Sequence, residues 1–231
     1  MNENLIEILK IYATQNHKAV SLYLLEQSKD GLIALFNELL TTYINDKNSS
    51  TLREFITVNL AGYKHSSEKI GYNGYKHSSL VAGKPLMCEA KPKNFDTESI
   101  RQFQNGERKN PPSKLNGQGN FTDYTWGRFK KDKEANLRML VSGFVDGRLL
   151  YIFEFPFSSA SFTNRLELQL QKRFPEGDRT SEYLRGASFS YKDFINCPEL
   201  NVCYILEKNK LEEYKNYIIG DFYKWMLSKT K

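Results

Sequence analysis

The sequence predicts an α/β (α+β) protein with a central mixed β-sheet flanked by helices and a helical region in front of it. Three observations predict this. Apolar residues recur at helical spacing through residues 1–61, and short apolar runs bounded by turn residues follow from residue 62. Between two of the longest runs stands Asp146-Gly147, a two-residue hairpin signal. Helices before a hairpin-rich sheet, and helices again after it, make a mixed architecture. A chain of 231 residues fits a single domain at about 150 residues each, with 1–61 as a helical region and 62–231 as the α/β core.

The elements follow in order. Leu5, Ile6, Leu9 and Tyr12 mark a first helix, and Leu32, Leu35, Phe36, Leu39, Leu40 and Tyr43 a later one, with Asp30-Gly31 separating the second helix from the third. Asn48-Ser49-Ser50-Thr51 offers N-cap chemistry to a short helix through Leu52, Phe55, Ile56 and Leu60, which Gly62 ends. Lys69 to Tyr72 and Pro85 to Lys91 read as strands, the second stopped by Pro92. The polar stretch from Asn94 to Asn120 reads as a disordered loop or one that orders on a ligand. A helix over Thr125 to Leu137 precedes the hairpin of Met139 to Val145 and Arg148 to Phe155. Phe162 to Arg173 is expected as helix, Val202 to Leu206 as strand and Leu211 to Leu227 as a final helix. Trp126 and Trp225 are read as packing residues, and Tyr151 to Phe157 as a core strand.

Composition narrows the function classes. The apolar fraction of 40% is too high for a disordered chain, and no apolar run approaches the roughly 20 residues of a membrane span. The polar, acidic start Met1-Asn2-Glu3-Asn4 lacks the basic region of a signal peptide. Cys88, Cys197 and Cys203 are odd in number and without CxxC spacing, as expected of reduced thiols in the cytoplasm. A net charge of +6 favours an anionic partner, nucleic acid ahead of membrane because no strongly basic amphipathic helix is evident. Lysines concentrate between Tyr63 and Lys93 and again at Lys130, Lys131 and Lys133. Gly62-Tyr63-Lys64-His65-Ser66-Ser67 recurs as Gly74-Tyr75-Lys76-His77-Ser78-Ser79, either a short duplication without function or a pair of phosphate-donating clusters.

The phosphate-loop, dinucleotide, GxSxG and HExxH patterns are all missing, and His17, His65 and His77 lack zinc-type partners. What remains is an acid, one residue and a lysine. It occurs at Glu89/Lys91, Glu107/Lys109 and Glu213/Lys215, but only Glu89 follows an apolar run, Leu86-Met87-Cys88. On a strand, residues two apart share a face, so Glu89 and Lys91 project together while Cys88 turns to the opposite side. A carboxylate beside an ammonium suits phosphodiester chemistry, which also needs a second acid from a neighbouring turn.

The segment Glu68-Lys69-Ile70-Gly71-Tyr72-Asn73-Gly74 lies upstream at the right distance. At this point the chain resembles the PD-(D/E)XK nucleases, and among them the type II restriction endonucleases, over residues 68 to 93. The resemblance implies a restriction-endonuclease-like fold, Mg²⁺ as cofactor, double-stranded DNA as substrate and a homodimer. It assigns Glu89, Asn73 and Glu68 to the metal and Lys91 to the attacking water and the developing phosphorane charge. Glu154 is an outside candidate for a further carboxylate. The departure is Asn73, where the family has an acid. Three accounts are open: an engineered Asp→Asn change, Glu68 as the substitute ligand, or a naturally weak enzyme. Lys64, Lys76, His77 and Lys93 are candidate phosphate contacts, and Arg101, Lys109, Lys114, Arg179 and Arg185 candidate contacts from two groove-reading segments. The rival readings are a Holliday-junction or repair nuclease of the same fold and a DNA-binding regulator without activity.

Overall fold

The computed structural model describes residues 3–45, 50–66, 71–77 and 85–230. It is a mixed α/β structure built on a mixed central sheet. Four helices come first: α1 (Glu3–Thr14), α2 (His17–Leu25), α3 (Lys29–Asn45) and α4 (Ser50–Leu60). Asn16 caps α2 by accepting a bond from Ala19 N at 3.1 Å. Asp30-Gly31 does not separate two helices. It lies in the first turn of α3, and the break falls earlier, between Leu25 and Lys29. Gly62, at φ +80°, ends the run in the left-handed region that glycine adopts without strain.

Among the described residues the sheet holds six strands in the order β1 (Lys64–His65), β2 (Gly74–Lys76), β3 (Leu86–Phe95), β5 (Arg138–Val145), β6 (Arg148–Pro156) and β8 (Asn201–Ile205). Only β3 and β5 pair in parallel; the other neighbours are antiparallel. The connection from β3 to β5 carries α5 (Glu98–Gln104), β4 (Gly119–Tyr124) and α6 (Trp126–Glu134). After β6 come α7 (Ala160–Arg173) and β7 (Leu184–Phe189), which pairs with β4 in a separate antiparallel ribbon. The chain ends in α8 (Lys208–Glu212) and α9 (Gly220–Leu227). No helix among the described residues is long and apolar enough to cross a membrane.

Register assigns the two faces of the sheet. Ala90 pairs with Leu140 and Leu140 with Glu154, so these share one face with Cys88. That face packs on the N-terminal helices: Val58, Tyr63, Cys88, Ala90 and Leu140 form one buried group. Leu5, Leu9, Leu35 and Phe55 join Phe144, Leu149 and Ile152 in another. The opposite face, with Met139, Val141, Phe153 and Phe155, carries the main aromatic core shared with β4, β7, α6, α7 and α9. Glu89, Lys91 and Lys93 belong to this second face. Trp126 and Trp225 both pack against that core, Trp126 on Phe129 and Trp225 on Phe222 and Phe153.

Four further expectations need correction. Pro92 does not stop its strand; β3 runs on to Phe95. Ala90 turns its N–H towards the β2 side, so Pro92, two residues on, turns its missing N–H the same way, beyond the last β2 pairing at Cys88. No ladder bond is lost. The segment Asn94 to Asn120 is not a structureless loop: it includes α5 and a buried Leu115 that bonds Tyr217 and Ile219 backbone. That same pairing interrupts the expected helix Leu211 to Leu227, which divides into α8, a 3₁₀ turn at Lys215–Tyr217, and α9. Of the expected strand Lys69 to Tyr72, the first two residues lie outside the described residues and Tyr72 belongs to no strand.

The repeated Tyr-Lys-His segments become the antiparallel pair β1 and β2. Lys64 Nζ lies 5.9 Å from the Tyr75 ring centre and Lys76 Nζ 5.8 Å from that of Tyr63. A duplicated Tyr-Lys, folded on itself, gives two reciprocal cation–aromatic contacts.

Candidate functional site

The site begins where β2 ends. β2 covers β3 only from Leu86 to Cys88, and the next inward backbone donor of β3, Ala90 N–H, is bonded at 2.7 Å by Oδ1 of Asn73. Because that oxygen must face a donor, the amide nitrogen faces the other way, and it donates to Glu54 Oε2 of α4 at 3.2 Å. Gly74 holds this turn in place: a Cβ there would stand 2.6 Å from Val58 Cγ1 and 2.7 Å from Lys64 O. Asn73 thus ties helix α4 to the residue between Glu89 and Lys91.

Glu89 and Lys91 project from β3 as one pair, Nζ to Oε1 at 2.7 Å, with side chains 8% and 19% exposed. Lys91 lies over the Phe121 ring of β4, 4.6 Å from its centre. Gly119 lets the ribbon come this close, since a Cβ there would stand 2.9 Å from Lys91 Cβ. Lys91, though not Glu89, lines a cleft of about 430 Å³ together with Glu54, Pro92, Lys93, Asn120 and Ser188 among others.

Beneath the pair lies a polar cluster that the sequence reading missed. Arg128 of α6 reaches Glu89 Oε1 at 3.7 Å and Asp132 Oδ2 at 3.8 Å. Tyr72 and Tyr124 each donate to Asp132 at 3.2 Å. The guanidinium also faces the rings of Phe121 and Tyr124, 5.7 and 5.5 Å from their centres. Burial raises the Asp132 carboxyl above its usual range, against the pull of Arg128 and the tyrosine hydroxyls. Burial and the Asp132 charge push the Tyr72 hydroxyl up to about 12. The available signal was helical spacing: Arg128 and Asp132 are four apart, a single acid inside a lysine run that reads otherwise as a solvated face.

The other expected residues scatter. Lys93 shares the face and cleft of Lys91, and Lys64, paired with Tyr75, is exposed on the same face. Lys76 lies on the opposite face, over Tyr63, and does not join the site. His77 is exposed beside the Tyr75 ring. Arg101 of α5 pairs with Glu98 at 3.1 Å, and Lys109 and Lys114 are exposed in the segment after it. Arg185 borders a separate hollow with Arg173 and Glu182, and Arg179 is exposed in the loop before it. Glu68 lies outside the described residues.

Glu154 is not part of the site. Register puts it on the far face of the sheet, where Tyr63 Oη donates to it at 2.7 Å, Arg138 Nε at 3.1 Å and Asn201 Nδ2 at 3.1 Å. Burial raises its carboxyl, but these bonds outweigh burial and hold it below the usual range.

The donors around Asn73 are hard oxygens of the kind Mg²⁺ takes. Their arrangement nevertheless does not fit the ion. The Asn73 oxygen is turned to the strand, the near Glu89 oxygen to Lys91, and no group of three or more His, Cys, Asp or Glu side chains among the described residues could hold a metal. In this structure the Asn73 amide bridges β3 to α4. No family model, curated protein or solved structure matches the chain.

Proposed function

We propose that this chain is a site-specific endonuclease of the restriction type, acting on double-stranded DNA, Mg²⁺-dependent in its active form, and cleavage-impaired here because Asn73 stands at the acid position. One observation carries the reading. Asn73, Glu89 and Lys91, singled out in the sequence as parts of one site, lie together: the hydrogen-bonded chain Glu54–Asn73–Ala90 ends on the residue between Glu89 and Lys91, whose side chains pair with each other.

The chain's own residues divide the work in this reading. Lys91 and Lys93, two apart on one strand face beside the cleft, meet successive phosphates of a backbone lying along the edge. Glu89 holds the Lys91 ammonium in place through their 2.7 Å ion pair. Asn120 and Ser188, from the adjoining ribbon, are the nearest groups that could reach base edges.

The rival reading with an observation behind it is a DNA-binding regulator, since the Asn73–Glu54 bond satisfies without any cation the position an enzyme would leave for one. One experiment separates them: incubation of unmethylated phage-sized DNA with Mg²⁺ and the parent chain, Asn73→Asp, or Asn73→Asp with Lys91→Ala. Discrete fragments from Asn73→Asp alone support the proposal. Fragments from the parent would assign the second carboxylate to Glu68, outside the described residues. No cleavage by any form, with tight salt-sensitive binding, overturns it in favour of the regulator. Cleavage of four-way junctions but not of linear duplex would favour the junction nuclease.

A further inference from the structure

The N-terminal helices carry an apolar surface that the described residues leave exposed. Among the described residues, eight of the twelve exposed large apolar side chains lie in α1, α2 and α3, led by Leu25 at 82%, Tyr43 at 63% and Phe36 at 61%. α2 packs beside α1 but buries no side chain fully, so this nine-residue helix has less of the packing that normally stabilises one. Charges are sparse: Ala19 to Leu25 has none, and Gly31 to Asn45 has only Glu38. Between the three helices runs a groove of about 460 Å³ with almost wholly apolar walls, including Leu9, Val20, Leu24, Leu35 and Leu39.

Size and shape identify the occupant. A half-exposed leucine or aromatic side chain offers on the order of 100 Å² of apolar surface, so eight offer roughly 800 Å². The largest apolar patch on a typical monomer is about 300–600 Å². A standard interface buries about 800 Å² per partner. The patch also holds both a groove and, on the same helices, protruding side chains at Leu22, Leu25 and Ile33. A surface with both features can meet itself across a two-fold axis, each copy's ridge entering the other's groove. It shares no lining residue with the cleft at Lys91.

We propose that a second copy of this chain docks on the α1–α3 surface, groove to ridge, forming a two-fold dimer that leaves the cleft open. This stands independently of the nuclease reading.

Sedimentation velocity on the full chain, from low to high micromolar concentration, tests it. The expected species is twice 26.9 kDa. Leu25→Glu and Phe36→Glu should each weaken self-association by at least about thirtyfold, because each buries an unpaired carboxylate in the interface. Leu168→Glu, at a residue 67% exposed on α7, should leave association unchanged. Far-UV circular dichroism and Tm identify any variant that fails to fold, and Leu22→Glu then replaces it. A parent chain monomeric at every concentration overturns the proposal. So does a dimer indifferent to both glutamates, or one that Leu168→Glu breaks equally.

Discussion

Asn73→Asp is the most informative single change, because the structure fixes what it does to its neighbours. The amide nitrogen that donates to Glu54 at 3.2 Å becomes a carboxylate oxygen facing another carboxylate. If both stayed ionised, the repulsion would be about 5 kcal/mol at an effective dielectric constant of about 20. The pair escapes most of this by holding one proton between them, and the Ala90 N–H bond strengthens on a charged acceptor. The net loss expected at neutral pH is about 2 kcal/mol, or about 5 °C in Tm for a chain of this size. Its pH dependence has a definite sign. The shared proton raises one carboxylate's folded-state pKa above its unfolded value. The associated stability is therefore complete at low pH and disappears as pH rises through that raised value. The Tm deficit relative to the parent should be small near about pH 5 and full near about pH 8. Mg²⁺ at about a hundred times its Kd would return about 2.7 kcal/mol to the variant by binding only the folded state, and nothing to the parent. Differential scanning calorimetry at both pH values, with and without Mg²⁺, makes the comparison. A deficit independent of pH and untouched by Mg²⁺ would refute the reasoning, and with it the idea that Asn73 fills a carboxylate's place.

Three further outcomes follow from the same geometry. Lys91→Met leaves Glu89 at 8% exposure with Arg128 3.7 Å away as its remaining cation, so the expected loss is about 2 kcal/mol, below the roughly 3–5 kcal/mol of a wholly broken buried pair. The urea midpoint reads this, and adding Glu89→Gln should restore most of it. Glu154, held below the usual carboxylate range when folded, contributes stability that is complete above its unfolded pKa and is lost as the pH falls through its folded one. Glu154→Gln should therefore flatten the acid limb of the urea-unfolding profile, and an unchanged limb would contradict the assignment. Gly74→Ala drives a methyl towards Val58 Cγ1 and Lys64 O, costing about 1–3 kcal/mol. Because Asn73 is the neighbouring residue, Ala90 N–H should then exchange faster with solvent, and unaltered exchange would show that the Asn73 bond does not depend on this packing.

How legible this was in the sequence depended on the range of the interaction. The β5–β6 hairpin is written into Asp146-Gly147 and two continuous apolar runs, and α6 into the helical spacing of Thr125 to Leu137, of which the structure keeps Trp126–Glu134 with Thr125 as cap. Both depend on nearest neighbours. The same-face projection of Glu89 and Lys91, with Cys88 buried opposite, follows from strand period alone. Pro92 misled because a local rule about proline was applied without knowing which strand edge was already unpaired. The interruption of the last helix depended on Leu115, about a hundred residues away, which no periodicity in residues 211–227 encodes. Glu54 and Asp132 were missed for the same reason. One looked like an ordinary helix acid and the other like part of a charge run, and only the fold brings them to Asn73 and Glu89.

The short β2 ties these points together. A ten-residue strand such as β3, paired to β2 only as far as Cys88, would leave an open edge for association. The structure blunts it with the residues of the candidate site: Asn73 takes the Ala90 donor, Pro92 has none to offer, and Lys91 and Lys93 put positive charge beside the edge. A polyanion would find there an edge with charge but few free backbone donors, which suits phosphate contact better than strand addition. The apolar surface of α1–α3 has no such protection, with no proline and few charges between Ala19 and Asn45. The first surface is thus protected against strand addition, and the second carries no comparable protection. That contrast is the physical reason for assigning phosphate to the first and a second copy of the chain to the other.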